Sequence, residues 1–156
     1  FFAKYGIEIE KITQNIKGFQ NLTFLIRDWK YENDHSFGLE GGNEYFKSRT
    51  EMMRMNEELQ AVRDTLNHFQ KVECFLMPHP GENVSQNPNF KGDIKQVKSI
   101  FLDNMKNLVE HLISTVKPKE VLGQVVYGEN LTQIMKNYVE CLNEGKLPLP
   151  RNPIQR

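Results

Sequence analysis

The chain has 156 residues, which is long enough for one globular domain with a buried core. Its 20 basic and 20 acidic side chains cancel, so no net charge favours binding to nucleic acid or to an anionic membrane surface. No apolar run approaches the roughly 20 residues that a membrane span needs. The composition therefore argues against a nucleic-acid partner and against a membrane span within this chain.

The N-terminal half predicts a helix, a strand, a loop and a second helix. Isoleucines recur at near-helical spacing over residues 3–17 and indicate the first helix. The compact apolar run over residues 21–28 is typical of a buried strand in a parallel sheet. Residues 29–43 are polar and rich in glycine, which predicts a long loop. The apolar stripe over residues 51–69 predicts a helix that covers the sheet, since it is too short for a coiled coil.

The C-terminal half continues this alternation. Residues 72–77 predict a second central strand, which Pro78 and Pro80 end because proline donates no backbone hydrogen bond. A long loop follows over residues 81–92. The remaining predicted elements are a long helix over 94–116, a short edge strand over 121–127 and a last helix over 131–142 that ends at Gly145.

This order of elements predicts a doubly wound α/β fold with a mostly parallel sheet. In such folds ligands bind beyond the carboxyl ends of the strands, and both predicted long loops follow strands. Cys74 and Cys141 lie in apolar stretches without a CxxC pattern, so we expect buried free thiols in a reducing compartment. The four histidines show no metal-binding spacing, so no metal site is predicted.

Arg27 and Asp28 form a charged pair at the carboxyl end of the first predicted strand. An ion pair on a buried strand is costly unless it faces a cleft or a partner. A carboxylate there can accept two hydrogen bonds from the ring N–H and the exocyclic amine of guanine, which adenine does not offer. The guanidinium can stack on the base or brace the carboxylate. A surface ion pair at a strand end explains the same two residues equally well.

The loop after the second predicted strand offers the other side of such a site. Val84 and Asn87 are suited to enclose a purine between an apolar side chain and the region of Arg27. Ordinary loop filling explains these two residues when they are taken alone.

Six runs carry a resemblance to a known family: FAKYG, FLIRDW, GLEGG, EELQAVR, CFLMPHPG and NPNFKG, in that order. Together they resemble the C-terminal half of the GTPase domain of atlastins, dynamin-related proteins that fuse endoplasmic reticulum membranes. Guanylate-binding proteins share the arginine–aspartate pair, but the PHPG and NPNF stretches are more similar to atlastins. Residues 30–35, Glu82 and residues 85–86 depart from the usual atlastin pattern.

The resemblance implies a part of a P-loop-type GTPase domain whose phosphate-binding half is missing. Arg27 and Asp28 would be the guanine-recognition motif, and Val84 and Asn87 would belong to the loop that caps the base and ribose. The bound nucleotide would be GTP or GDP. The chain has no GxxxxGK[ST] loop, so we assign no catalytic residue and expect the Mg²⁺ ligands upstream of Phe1.

The resemblance also implies how the parent protein is organised. Residues 1–145 would be the C-terminal part of the GTPase domain, and the proline-rich residues 146–156 a linker toward a helical middle domain. The parent would be a GTP hydrolase at the cytosolic face of the endoplasmic reticulum. Its GTPase domains would form homodimers that drive homotypic membrane fusion, with membrane contact only through parts outside this chain.

Two alternatives remain at this stage. The first is that the chain is part of a GTPase: it would be inactive as an enzyme alone, because it lacks a phosphate loop, and upstream sequence would complete the domain. The other alternative is a non-catalytic α/β interaction module that retains the fold without binding nucleotide.

Overall fold

The computed structural model describes residues 10–11, 17–54, 56–121 and 124–145. The chain divides into two compact units. The first contains the described parts of residues 1–21, 56–71 and 117–156, and the second contains those of residues 22–55 and 72–116. None of the described helices is both long and apolar enough to cross a bilayer.

Two parallel strands organise the fold. Strand β1 spans Phe19–Trp29 and strand β2 spans Phe69–Pro78, and they are neighbours in a two-stranded sheet. Each strand begins in the first unit and ends in the second. The predicted α/β class and both predicted central strands are therefore confirmed. Because paired parallel strands run in one direction, their carboxyl ends lie at one edge of the sheet.

Strand β2 forms the core of the second unit. Its consecutive residues Cys74 to Met77 are each at most 2% exposed. Helix α4 (Ser99–Thr115) contributes Leu108 to this core, and Leu39 and Phe101 pack around it. A continuous apolar run buried on both faces is the pattern expected of a central parallel strand.

Strand β1 differs from the sequence prediction, because none of its residues is fully buried. Phe24 and Leu25 keep 38% and 45% of their surface exposed. In the described sheet β1 has a single neighbouring strand, β2. The predicted strand is present, but its predicted burial is wrong, since an apolar run is buried only where other elements cover it.

Helix α1 (Gly38–Met53) occupies part of the predicted loop over residues 29–43, so that loop prediction is wrong from Gly38 onward. Gly41 and Gly42 are both buried in this helix. A Cβ on Gly42 would overlap the carbonyl oxygen of Cys74, and one on Gly41 would overlap that of Ser36. Gly42 therefore allows close backbone packing of α1 against β2, and Gly41 allows the chain at Ser36 to approach the helix, where the sequence suggested a turn.

The predicted helix over residues 51–69 is also wrong as one element. Helix α1 ends at Met53, a 3₁₀ turn follows at Glu57–Leu59, helix α2 spans Gln60–Asn67, and β2 begins at Phe69. Met52 is 61% exposed and Val62 is 45% exposed, so the apolar stripe does not pack as a continuous core face. Since the spacing continues across the break, periodicity alone does not reveal it.

The second half follows the predicted order with local differences. A short helix α3 (Glu82–Ser85) lies in the predicted loop over 81–92, and a 3₁₀ turn at Ile94–Gln96 precedes α4. The predicted edge strand over 121–127 is a hairpin in which β3 (Glu120–Val121) pairs antiparallel with β4 (Gln124–Val125). Helix α5 (Gly128–Asn143) matches the predicted last helix, and Gly145 follows it with a φ of +66°.

Some predictions lie outside the described residues. They are most of the first helix over 3–17 and the tail over 146–156. Both cysteines are free thiols, as expected. Cys74 is buried, whereas Cys141 is only partly buried, so the prediction of burial is wrong for Cys141.

Candidate functional site

Asp28 has an unusual backbone at the carboxyl end of β1. Its φ of +57° makes it the one non-glycine residue with positive φ among the described residues. A left-handed conformation costs an L-residue about 1–2 kcal/mol, although aspartate tolerates it better than most. Such outliers persist where surrounding contacts enforce them, and they cluster at binding and catalytic sites.

The side chains of Arg27 and Asp28 are both exposed. The desolvation penalty expected for a buried pair therefore does not apply, so the prediction that the pair lies on a buried strand is wrong. Within the described part of the chain, neither side chain makes a hydrogen bond or an ion pair. The alternative interpretation as a surface ion pair is not observed there, and both carboxylate oxygens of Asp28 are available as acceptors.

An aromatic cluster holds the chain directly after Asp28. The indole N–H of Trp29 donates to the carbonyl oxygen of His35 at 3.0 Å. The Trp29 ring packs edge to face against Tyr31 and Tyr45, with centroid distances of 5.4 Å and 5.0 Å. Tyr45 belongs to α1, so the cluster ties the end of β1 to a helix that packs on β2. This cluster was not predicted from the sequence, although the aromatic residues at positions 29, 31 and 45 could have indicated it.

The turn after Trp29 is also hydrogen-bonded. The backbone N–H groups of Asp34 and His35 donate to the carbonyl oxygen of Tyr31 at 3.0 Å and 3.1 Å. The ring of His35 lies 5.7 Å from that of Tyr45, edge to face. Residues 31–35, where the sequence departs from the atlastin pattern, therefore form a defined turn that packs on the aromatic cluster.

The chain after β2 is closed at its base by two hydrogen bonds. The backbone N–H of Gly81 donates to Nδ1 of His79 at 3.0 Å. The backbone N–H of Lys98 donates to the carbonyl oxygen of Pro80 at 2.9 Å. We call residues 81–97 the cap segment, because these bonds hold both of its ends beside the carboxyl end of β2.

Val84 and Asn87 both lie in the cap segment and are partly buried. The N–H of Val84 donates to the carbonyl oxygen of Gly81 at 3.2 Å. The side-chain oxygen of Asn87 accepts the backbone N–H of Asn89 at 2.9 Å. Asn87 therefore shapes the turn at Pro88, and its amide nitrogen remains a possible donor to a ligand.

Both predicted pairs lie in the second compact unit. Arg27 and Asp28 are at the carboxyl end of β1, and Val84 and Asn87 follow the carboxyl end of β2. Among the described residues, neither pair hydrogen-bonds to the other. The two carboxylate oxygens of Asp28 can accept two adjacent donors, and ligands of parallel α/β sheets generally bind at the carboxyl ends of the strands.

The described residues offer no conventional metal site. Among them, no group of three or more histidine, cysteine, aspartate or glutamate side chains is arranged to hold a metal ion. The chemistry that the described site supports is recognition of hydrogen-bond donors by a carboxylate.

Comparison with known proteins gives the same family as the sequence motifs. The family model described as guanylate-binding protein, N-terminal domain, matches residues 4–121. Human atlastin-2 is 39% identical over 159 residues, covering 99% of this chain and 27% of that protein. Bovine atlastin-1 and Xenopus laevis atlastin-2 are 36% and 37% identical, each with 99% of this chain and 28% of the relative covered.

This chain thus spans less than a third of the length of these curated relatives. The predicted resemblance to atlastins is confirmed over nearly the whole chain. The chain belongs to the family of guanylate-binding protein N-terminal domains, and it matches the N-terminal GTPase region of atlastins.

Proposed function

We propose that this chain is the guanine-recognising part of an atlastin-like GTPase. The observation that carries the proposal is the left-handed backbone of Asp28, an exposed residue whose carboxylate has no partner in the described part of the chain. Strained backbone conformations that are held by neighbouring contacts cluster at binding sites, and the free carboxylate of Asp28 supplies a group that a ligand can use.

The chemistry of recognition follows from the donor pattern of the base. The two oxygens of Asp28 accept the ring N–H and the exocyclic amine of guanine as two charge-assisted hydrogen bonds. Adenine presents a ring acceptor at the corresponding position, so it would leave the carboxylate facing a lone pair. The guanidinium of Arg27 stacks on the base or braces the carboxylate. Val84 and Asn87 enclose the base and ribose from the cap segment.

The nucleotide of this proposal is GTP or GDP. We assign no phosphate contact and no catalytic group to this chain, which has no GxxxxGK[ST] motif. The phosphate-binding half and the Mg²⁺ ligands would then come from sequence upstream of Phe1. Residues 1–145 would complete the GTPase domain, and residues 146–156 would link it to a helical middle domain.

The proposal extends to the parent protein through its relatives, which are atlastins. In that parent, GTP binding and hydrolysis would drive pairing of two GTPase domains and homotypic fusion of endoplasmic reticulum membranes. The domain would act at the cytosolic face, and other parts of the parent would contact the membrane.

The test is a change of base preference in the full-length protein. Asp28→Asn replaces one acceptor by an amide donor, so it should weaken GDP binding by about 10- to 100-fold, because it disrupts hydrogen bonds to a charged group. The same variant should bind xanthosine diphosphate more tightly than wild type does, since xanthine has a carbonyl acceptor where guanine has its amine. Calorimetric titration with GDP, xanthosine diphosphate and ADP measures both changes.

Asp34→Asn is the matched control. Asp34 is an exposed aspartate in the turn after β1, and its substitution should leave base preference unchanged. Unchanged preference in Asp28→Asn would refute the assignment of Asp28. Absence of nucleotide binding in every form, including wild type, would favour the non-catalytic interaction module.

A further inference from the structure

His79 has a specific structural role at the end of β2. It follows Pro78, the last residue of the strand, and its Nδ1 accepts the backbone N–H of Gly81 at 3.0 Å. An N–H group pointing at Nδ1 requires that this nitrogen carry no hydrogen, so the ring hydrogen lies on Nε2. The imidazole thus fixes the orientation of the peptide that opens the cap segment.

Gly81 needs this support because its backbone is unusual. Its φ of +118° and ψ of 151° lie in a region that essentially only glycine adopts. A Cβ at Gly81 would also lie 3.3 Å from Cγ of Lys98, which is closer than ordinary contact. Glycine permits this conformation but does not enforce it, since glycine has the most backbone freedom of any residue. The bond to His79 selects one conformation from that range.

The orientation of Gly81 is passed on to the cap segment. The carbonyl oxygen of Gly81 accepts the N–H groups of Val84 and Ser85 at 3.2 Å and 3.1 Å. These bonds form the first turn of α3, which carries Val84. At the other end of the segment, Lys98 is hydrogen-bonded to Pro80. A change at the His79–Gly81 bond therefore acts on the turn that holds Val84, while the far end stays anchored.

We propose that His79 is a positioning residue for base binding: through Nδ1 it holds Gly81, and thereby the cap segment with Val84 and Asn87, in the binding conformation. This inference rests on the proposed function. His79 itself does not contact the nucleotide in this account, and its effect reaches the base through the backbone of the cap segment.

The test compares two substitutions that differ in the position of an acceptor. His79→Asn places a side-chain oxygen close to the position of Nδ1, whereas His79→Gln moves the acceptor to about the position of Nε2. In the full-length protein His79→Gln should weaken GDP binding about 3- to 10-fold, as expected for loss of one neutral hydrogen bond. His79→Asn should bind GDP within about twofold of wild type, because it restores the bond.

Hydrogen exchange and a control variant complete the design. Amide exchange over residues 81–97 should be faster in His79→Gln than in wild type and should return to the wild-type rate in His79→Asn. Lys47→Gln, at an exposed position of α1 outside the cap segment, should change neither affinity nor exchange. His79→Leu, which has no acceptor, should behave as His79→Gln does, so the result does not depend on one variant.

The possible outcomes separate this inference from the proposed function. If wild type prefers GDP to ADP and both His79→Gln and His79→Leu bind GDP as wild type does, the role of His79 is refuted and the proposed function stands. Equal weakening in His79→Asn and His79→Gln would also refute it, because the restored acceptor would have no effect. A wild-type protein without preference for guanine would overturn both.

Discussion

The ends of β1 and β2 lie at one edge of a parallel sheet, but they are held in different ways. Four consecutive residues near the end of β2 are at most 2% exposed, and backbone hydrogen bonds close the segment that follows. The end of β1 has an exposed charged pair, a left-handed aspartate and then an aromatic cluster. The buried strand supplies stability, whereas the exposed strand end keeps an unfavourable backbone and free acceptors.

The proposed role of Asp28 gives this difference a physical reason. To read a base, its carboxylate must remain unpaired and accessible, so it cannot contribute its own bonds to the fold. The contacts of Trp29 with Tyr45 and with the carbonyl of His35 fix the chain next to it instead. The free-energy cost of the strained backbone at Asp28 is small compared with the stabilisation from the apolar surface buried around β2. One compact unit can therefore contain both features.

The largest expected effect comes from the packing of α1 on β2. Gly42→Ala would place a methyl group on the backbone of Cys74, so the helix must move away from the strand. We expect a loss of about 3 kcal/mol or more in the free energy of unfolding, the upper range for overpacking, because backbone atoms cannot rotate away. Urea denaturation followed by circular dichroism measures it.

Gly128→Ala is the control for that substitution. A Cβ at Gly128 meets no atom within 4 Å, so the change should be neutral or slightly stabilising. If Gly42→Ala were as well tolerated as Gly128→Ala, the claim that α1 packs closely and rigidly on β2 would be wrong.

A smaller change in the free energy of unfolding, of opposite sign, is expected at the end of β1. Asp28→Gly removes a left-handed cost of about 1–2 kcal/mol and adds an entropy cost of about 0.5–1 kcal/mol for the backbone, so stability should rise by up to about 1.5 kcal/mol. Guanine preference should be lost in the same variant, because the acceptors are gone. Asp34→Gly lacks the strain to relieve, so it should not stabilise the chain. A destabilised Asp28→Gly would show that the aspartate side chain supports the fold.

The smallest expected effect is a pH dependence within β2. Burial raises the pKa of the Cys74 thiol above its ordinary value of 9.0. The folded state then retains this proton at pH values where the unfolded chain has lost it. Stability from the neutral thiol is therefore complete below pH 9.0 and falls as the pH rises above it.

Denaturation of wild type and Cys74→Ala at several pH values from 8 to 10 isolates this contribution. Wild type should lose more stability over that range than the variant does. Equal losses would show that the Cys74 thiol titrates in the folded chain as it does in the unfolded one.

The sequence predicted the two strands because short, dense runs of β-branched and aromatic residues favour strands over other secondary structure. It failed at α1, where Gly41 and Gly42 suggested a turn, although their function is to let two backbones approach. It also overestimated the burial of β1, since a sequence does not show which strand faces are covered. These errors share one cause, because each depends on contacts between segments distant along the chain.

At the candidate site, residue chemistry and family motifs predicted Arg27 and Asp28, and their role in base recognition stays a prediction. The left-handed backbone of Asp28 and the hydrogen bond between His79 and Gly81 could not be predicted from the sequence. Both depend on the local path of the chain at a strand end, which residue types alone do not determine. The Trp29 cluster could have been predicted more easily, because its aromatic residues are visible in the sequence.

The most direct test of the central claim is a thermodynamic cycle between Asp28 and the exocyclic amine of guanine. Calorimetry on the full-length protein would compare GDP with inosine diphosphate, which lacks that amine, for wild type and Asp28→Ala. We predict a coupling energy of about 1.5–3 kcal/mol, as expected for one hydrogen bond to a charged group. A coupling energy near zero, with the two ligands separated equally in both proteins, would contradict recognition of guanine by Asp28.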